Sequence, residues 1–299
     1  MNTSVKPCLM KINDLIEGSI VKRPSKIIKS PYVADILPLS IENNCEESSE
    51  VLGHTASLGC CGLADAGAKI LMIKITNNTN KNTNQNNKQK CTYRVYLSIY
   101  KDKERNEETI IGIHPKLAED LVEKALNGNC LSKLQNIKSY KRETTIYVKD
   151  KVDSRFDFSG IDENGTPFIM EVKNVPLADF EDINAVERKK KNYDGRAFDS
   201  KVAYFPDGYR KKTSDPVSPR ALKHIRELTL IKKESKTRCI MCFVIQRIDV
   251  ECFQPSIIDP EYRAAIYEAI AAGVEMITLV IKWTRDGEAY FVRDDLPFR

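Results

Sequence analysis

A chain of 299 residues with 41% hydrophobic residues is long enough for two domains, each with its own core. Its 47 lysines and arginines against 42 acidic residues give a formal charge of +5, which is compatible with a nucleic-acid partner without requiring one. No apolar run approaches the ~18 residues of a membrane span, and the start MNTSVKPCLMKIND lacks the apolar core of a signal peptide. Membrane and secretory classes are therefore set aside, and an intracellular protein is expected, cytoplasmic by default with the nucleus as the second option.

Residues 1–112 carry short β-like segments, Ser19 to Val21, Lys69 to Ile75 and Tyr93 to Tyr100, separated by turns, which suits a small barrel. The tract 77–90, almost all Asn, Lys, Thr and Gln, has nothing to pack and reads as a disordered loop insertion in that barrel. Residues 115–127 then predict a helix, with Pro115 in its first turn and Leu117, Leu121, Val122 and Ala125 on one side. This helix opens the second domain, 113–299. Glu119 and Glu123 on it are candidate extra carboxylates, although ordinary solvation is the commoner fate of such residues.

The centre of the chain holds Ser154-Arg155-Phe156-Asp157-Phe158 and, after a Gly-containing turn, Phe168-Ile169-Met170-Glu171-Val172-Lys173. The Glu-x-Lys spacing alone says little, because an acid two residues before a lysine recurs at Glu187, Asp199 and Glu234 in polar stretches. Context sets Glu171 apart. Strand alternation puts Arg155 and Asp157 on one side with Phe156 and Phe158 on the other, and groups Ile169, Glu171 and Lys173 against Phe168, Met170 and Val172. Asp157 then faces Glu171 only if the loop length is odd, since a slip of one residue moves every side chain across the sheet. A three-residue loop Glu163-Asn164-Gly165, with Gly165 left-handed, meets that condition.

Such a cluster suits Mg²⁺, or Mn²⁺, which needs one or two carboxylates plus water and substrate oxygens. Asp157 and Glu171 are the candidate metal ligands, with the Val172 carbonyl as a further donor. Lys173 on the same face is placed to position water or to stabilise charge on a phosphoryl group. On spacing alone an exposed ion pair on a hairpin is the commoner outcome.

Further along, Arg188-Lys189-Lys190-Lys191 and Arg210-Lys211-Lys212 flank Phe205-Pro206-Asp207, with Tyr193, Tyr204 and Tyr209 interleaved, a pattern that can track phosphates. Ser218-Pro219 predicts a helix start with a capping serine. Leu222, Ile225 and Leu228 form its apolar stripe, and Arg220, Lys223, His224 and Glu227 the opposite, polar face. A strand from Cys239 to Ile248, a helix from Glu261 to Ala272 ending at Gly273, and a strand from Val274 to Trp283 complete a mixed sheet flanked by helices. Nine scattered cysteines fit a reducing compartment. Cys239 and Cys242 would point to opposite faces of a strand and so not chelate one ion. His54 and His114 stand isolated and are assigned no catalysis.

The stretches SRFDF, MEVKNVPLADF, YFPD and ALKHIREL, in that order, resemble the sugar fermentation stimulation protein (SfsA) family, whose members read S-R-I-D-F, E-V-K-(N/S)-V-T-L, F-P-D-A and R-G-x-K-H-L-x-E-L. The likeness runs through residues 143–299 and is fainter earlier, in LIEGSIVKRP, HTASLGCCG and TIIGIHPKLAEDLVEKAL. It implies an OB-like β-barrel followed by a PD-(D/E)XK nuclease-like domain, with non-specific DNA binding and nuclease chemistry inferred from fold. By this resemblance Asp157, Glu171 and Lys173 are catalytic, and Arg155, Glu143, Asp207, Lys223, His224 and Glu227 supporting. Ser57-Leu58, Glu119-Asp120 and Ala221 depart from the family pattern, and an extra stretch lies between Phe180 and Tyr204. The expected function is a Mg²⁺-dependent nuclease, with DNA ahead of RNA as partner. The alternative is a non-catalytic DNA-binding regulator of the sugar fermentation stimulation type, built on the same scaffold. Intact Asp, Glu and Lys favour the enzyme, because keeping two carboxylates close together costs desolvation and repulsion.

Overall fold

The computed structural model describes residues 6–39, 49–55, 62–75, 91–102, 105–207 and 215–299. The Asn-rich tract 77–90, the second basic cluster Arg210, Lys211 and Lys212, and Cys45, Cys60 and Cys61 lie outside the described residues. In chain order come β1 (Cys8–Lys11), β2 (Ile16–Lys22), β3 (Val33–Pro38), β4 (Val51–Thr55), β5 (Lys69–Lys74), β6 (Tyr93–Asp102), β7 (Glu107–Gly112), α1 (Lys116–Asn127), β8 (Ser139–Val148), β9 (Val152–Ile161) and β10 (Pro167–Val175). They are followed by β11 (Ala178–Asp179), α2 (Ala185–Arg188), β12 (Lys201–Phe205), α3 (Pro219–Glu234), β13 (Arg238–Ile245), β14 (Val250–Pro255), α4 (Pro260–Ala271), β15 (Glu275–Trp283) and β16 (Glu288–Arg293).

Strands β4, β3, β2, β5 and β6 pair in that order, and a parallel contact of β4 with the start of β6 closes them into an N-terminal barrel. Closure leaves the ring without a free edge. Inward residues Ile20, Ile36, Ile70, Met72 and Val95 fill it, and β7 continues the sheet along the second half of β6. The strand β1 lies within the segment 1–112 expected to form the barrel, but it pairs antiparallel with β16 at the edge of the larger sheet.

That larger sheet runs β1-β16-β15-β13-β10-β9-β8 and is mixed: β10, β13 and β15 are parallel, and the outer pairs are antiparallel. Its central strands are apolar on both faces, as strands covered on both sides must be. Leu121 and Val122 of α1 share one core with Met170, Val172, Cys242 and Val244, while Ile225 and Leu228 of α3 and Ile266 of α4 share the other with Ile169, Met241 and Phe243. Cys239 and Cys242 fall in these two different cores, as alternation requires, and burial pushes both thiols up. The structure corrects the expected cap of α3, since the Ser218 side chain makes no capping hydrogen bond. Asp259 does the capping at α4, accepting from Tyr262 N at 3.1 Å, and its other oxygen accepts from Val217 N just before α3. Among the described residues no helix is long and apolar enough to cross a membrane.

A small sheet of β11, β12 and β14 sits beside the barrel around a buried ionic group. Asp249 accepts from Lys201 Nζ at 2.9 Å and from both Nε and Nη2 of Arg247 at 2.7 and 2.6 Å, with all three side chains at most 2% exposed. Lys201 also lies over the Phe198 ring, 3.7 Å from its centre. Removing the shared anion strands two buried cations. Asp249→Ala is expected to cost ~3–5 kcal/mol, read from the shift in urea midpoint relative to the parent chain.

Candidate metal-dependent active site

The hairpin between β9 and β10 sets the geometry. Pairing runs Ile161 with Pro167, Phe168 with Gly160, Ile169 with Ser159 and Met170 with Phe158, a register that carries Asp157 towards Glu171. Asp162 N donates to Thr166 O at 3.0 Å, which leaves Glu163-Asn164-Gly165 as the connecting loop. Gly165 has φ +85° and its N–H donates back to Asp162 O at 3.1 Å, so the left-handed position falls on the residue with no Cβ to object. The Asp162 side chain locks the turn by accepting from Asn164 N and Thr166 N at 2.9 and 2.8 Å. Arg238 Nη1 holds its other oxygen at 3.1 Å.

Past Met170 the two strands part. Asp157 Oδ2 accepts from Val172 N at 2.7 Å, so a side chain takes the rung that the main chain would have supplied. On the neighbouring strand, Glu143 sits between the pairs Arg142–Phe158 and Thr144–Phe156, opposite Asp157, and has φ +53°. The ladder is therefore kinked at Asp157. Phe156 and Phe158, expected on a shared face, instead enter different cores, Phe156 under α3 and Phe158 under α1. Glu171 and Lys173 do alternate as expected, onto the side of the sheet that α3 covers.

Glu171 is 2% exposed. Its Oε1 is held by Lys173 Nζ and His224 Nδ1, whereas Oε2 is buried with no hydrogen-bond partner. Burial alone would raise its pKa, but the ammonium of Lys173 and the ring of His224 outweigh it and keep the carboxyl below the ordinary glutamate range. Asp157 goes the other way. Burial, and then the negative charge of Glu171, push it up to about 7, against the partial relief given by Lys173 and Val172 N. The pair thus combines one ionised carboxylate having a spare buried oxygen with a second that gives up its proton near neutrality.

Among the described residues no three His, Cys, Asp or Glu side chains form a metal-binding cluster. The carboxylates this site could offer an ion are those of Asp157 and Glu171, and such oxygen donors would suit Mg²⁺ or Mn²⁺ completed by water and substrate oxygens better than zinc. Glu171 Oε2 is the unpartnered oxygen within this pair, and Glu227 Oε2 on α3 is a second buried carboxylate oxygen without a partner.

The supporting residues divide into those brought to the site and those not. His224 is buried against Glu171, and Glu227 is buried one turn later, so the polar face expected on α3 is turned partly into the protein. Glu227 Oε1 accepts from Asp153 N at 3.1 Å and Lys223 Nζ donates to Asp153 O at 2.5 Å, fastening α3 to the start of β9. Arg220 is exposed. Arg155 and Glu143 form a solvent-exposed pair, 3.4 Å apart, and make no contact with Glu171. Asp207 lies close enough to Asp179, Arg188 and Tyr204 for its charge to act on all three, a different polar group from that of Asp157 and Glu171. Within the first basic cluster, Arg188 is committed to Asp179 at 2.7 Å and to Ile183 O at 2.6 Å, and Lys191 pairs with Glu181 at 3.4 Å. Lys189 and Lys190 are exposed.

Two further features had no signal in the sequence. Arg142, on β8, is gripped by Glu119, Asp120 and Glu123 of α1 at 3.0, 3.1 and 2.8 Å, so the helix carboxylates are neither simply solvated nor free. The charge of Glu119 still reaches Asp157 and helps raise its pKa. Tyr262 of α4 is fully buried with an unpartnered hydroxyl, near enough to feel Glu171. Single glutamates, one arginine and one tyrosine at ordinary helix and strand positions carry no motif, so only packing reveals them.

Known proteins share this fold. Residues 116–287 match the family model described as "Sugar fermentation stimulation protein RE domain", a restriction-endonuclease-like domain. A sugar fermentation stimulation protein homolog of Maricaulis maris is 28% identical over 88% of each chain. One from Prochlorococcus marinus is 27% identical over 93% of this chain and 94% of that one. A solved structure described as Pyrococcus furiosus SfsA in complex with Ca²⁺ superposes with a TM-score of 0.68 at 18% identity, covering 99% of this chain and all of the other. The match thus extends across the barrel and the mixed sheet together, and the chain belongs to the sugar fermentation stimulation protein (SfsA) family.

Proposed function

We propose that this protein is a divalent-cation-dependent nuclease that hydrolyses phosphodiester bonds, with DNA as the first substrate to test. The single observation that carries the reading is the carboxylate pair, Glu171 buried and Asp157 partly buried, with Lys173 bonded to the first and its charge acting on the second: Glu171 Oε2 is unpartnered and Asp157 is held near neutral pKa. A pair of this kind is costly unless a cation neutralises it. The Ca²⁺ in the Pyrococcus structure supports a divalent ion, and the chemistry of the donors here favours Mg²⁺ or Mn²⁺.

Asp157 and Glu171 would hold the ion. When bound, it supplies positive charge to the phosphoryl group and acidifies water. His224 and Lys173 fix the Glu171 carboxylate through Oε1, which leaves Oε2 to face the ion. Lys173 is then the cation available to the phosphoryl oxygens as negative charge builds on them. Lys223 and Glu227, tied to Asp153, keep α3 and hence His224 in place.

With labelled single- and double-stranded DNA and RNA in Mg²⁺, Mn²⁺ or EDTA, metal-dependent cleavage is expected, and Asp157→Ala or Lys173→Ala should lower its rate by roughly 10²-fold or more. Binding retained with no cleavage by the parent chain under any metal would instead assign it a regulator's role.

The metal-free protein should also report on Asp157. Its pKa is about 7 when folded against an ordinary aspartate's 3.8, so between those values the folded chain keeps a proton that the unfolded chain has released. Stability in EDTA should therefore fall as pH rises through that window. Asp157→Asn should abolish this fall and be the more stable chain at pH ~8, by on the order of 2 kcal/mol, with little difference at pH ~4. Adding Mg²⁺ at pH ~8 should raise the Tm of the parent chain and leave that of Asp157→Asn unmoved.

A further inference from the structure

The barrel carries a strip of ring-bearing side chains that leads to the candidate active site. His54 of β4 pairs with Val33, next to Tyr32, on one side and with Arg94 of β6 on the other. Val95 is buried in the barrel core, so Arg94 and Tyr96 on either side of it project outward. Tyr32 stacks on His54 with ring centres 6.3 Å apart and planes 13° from parallel. Tyr96 stacks on His114 at 4.9 Å and 22°, and His114 N donates to Tyr96 O at 3.2 Å.

At His114 the strip opens into a cavity of about 640 Å³ lined by His114, Pro115, Lys116, Glu119, Arg142 and Glu143. Of the two candidate ligands that cavity lies towards Asp157, since Glu143 in its lining stands opposite Asp157 on β8 and the charge of Glu119 acts on Asp157.

The chemistry of the strip is specific. Burial first, and then the Arg94 charge, depress both imidazoles, His114 to about 4, so each is a neutral flat ring at physiological pH. Each also keeps a ring nitrogen, Nδ1, with no protein partner. Tyr32 and Arg94 are exposed, and Arg94 has no ion-pair partner among the described residues. Partly exposed aromatic faces beside a free guanidinium match nucleobase faces and a phosphate backbone. A duplex offers its grooves only base edges and phosphates, since the faces of its bases are stacked on one another.

We infer that Tyr32, His54, Arg94, Tyr96 and His114 form a stacking track for the unpaired bases of a single-stranded nucleic acid, leading the strand through the adjoining cavity to Asp157 and Glu171. The inference rests on the nuclease reading for the strand's destination, while the track itself is read by binding alone.

The test is fluorescence anisotropy of the full chain in EDTA, with a short labelled DNA strand, the same sequence as RNA, and the matching DNA duplex. The single strands should bind more tightly than the duplex, and Tyr96→Leu should weaken strand binding about tenfold while Tyr96→Phe, which keeps the ring, stays within about twofold of the parent. The DNA and RNA arms show which sugar the track accepts. A strand containing 2-aminopurine should be quenched by the parent chain and Tyr96→Phe but not by Tyr96→Leu, a stacking signature that a merely structural role for Tyr96 would not produce. Equal strand affinity of the parent and Tyr96→Leu, or tighter binding of the duplex, overturns the track. Metal-dependent cleavage alongside Tyr96-independent binding would refute the track alone, and Tyr96-dependent binding by a chain that never cleaves would refute only the nuclease reading.

Discussion

Two carboxylates facing each other across one hairpin, Glu171 buried and Asp157 partly so, are the constraint around which this structure is arranged. Left alone, Asp157 and Glu171 would repel one another in a poorly solvated setting, and neither could ionise cheaply. The protein resolves the conflict unequally. Glu171 receives Lys173 and His224 and stays charged, while Asp157 receives only a main-chain N–H and holds its proton up to about neutrality. The resulting imbalance is a deficit of positive charge, the condition a divalent cation relieves.

Much of the surrounding architecture serves to keep those groups from moving apart. The Asp162-locked turn fixes the register of β9 on β10, and Arg238 joins that turn to β13 and, through Glu275, to β15. Lys223 and Glu227 hold α3 against β9, and Arg142 draws α1 onto β8 through three carboxylates. Asp157, Glu171 and Lys173 therefore project from strands braced on both faces of the sheet, which gives the precision that loop-borne sites lack.

Several of these relations were legible in the sequence. The parity of the Glu163-Asn164-Gly165 loop decides whether Asp157 can approach Glu171, and glycine at its third position announces the left-handed residue. Alternation was enough to separate Cys239 from Cys242. It failed at Phe156 and Phe158 because it assumes an unbroken pleat, whereas Asp157 and the left-handed Glu143 interrupt the ladder between them. Helical periodicity placed His224 and Glu227 on a polar face opposite the apolar stripe but could not show that they are buried, because the partners that permit it, Glu171 and Asp153, lie far away in sequence. Arg188 looked like part of a phosphate-tracking run for the same reason, its anchor Asp179 being invisible to local charge counting. His54 and His114 seemed isolated because their stacking partners, Tyr32 and Tyr96, are brought to them only by barrel pairing.

The first strand has a consequence for how the molecule is assembled. Because β1 completes the edge of the sheet on β16, the barrel joins the larger sheet by chain on both sides, once through residues 12–15 and once through α1. Arg285, in the turn between β15 and β16, adds bonds to Glu17 of β2 at 2.8 Å and to Glu108 of β7 at 2.6 Å, so barrel and sheet are joined by side chains as well as by chain. An edge made from residues near the amino terminus must also wait, during synthesis, until one of the last strands has emerged.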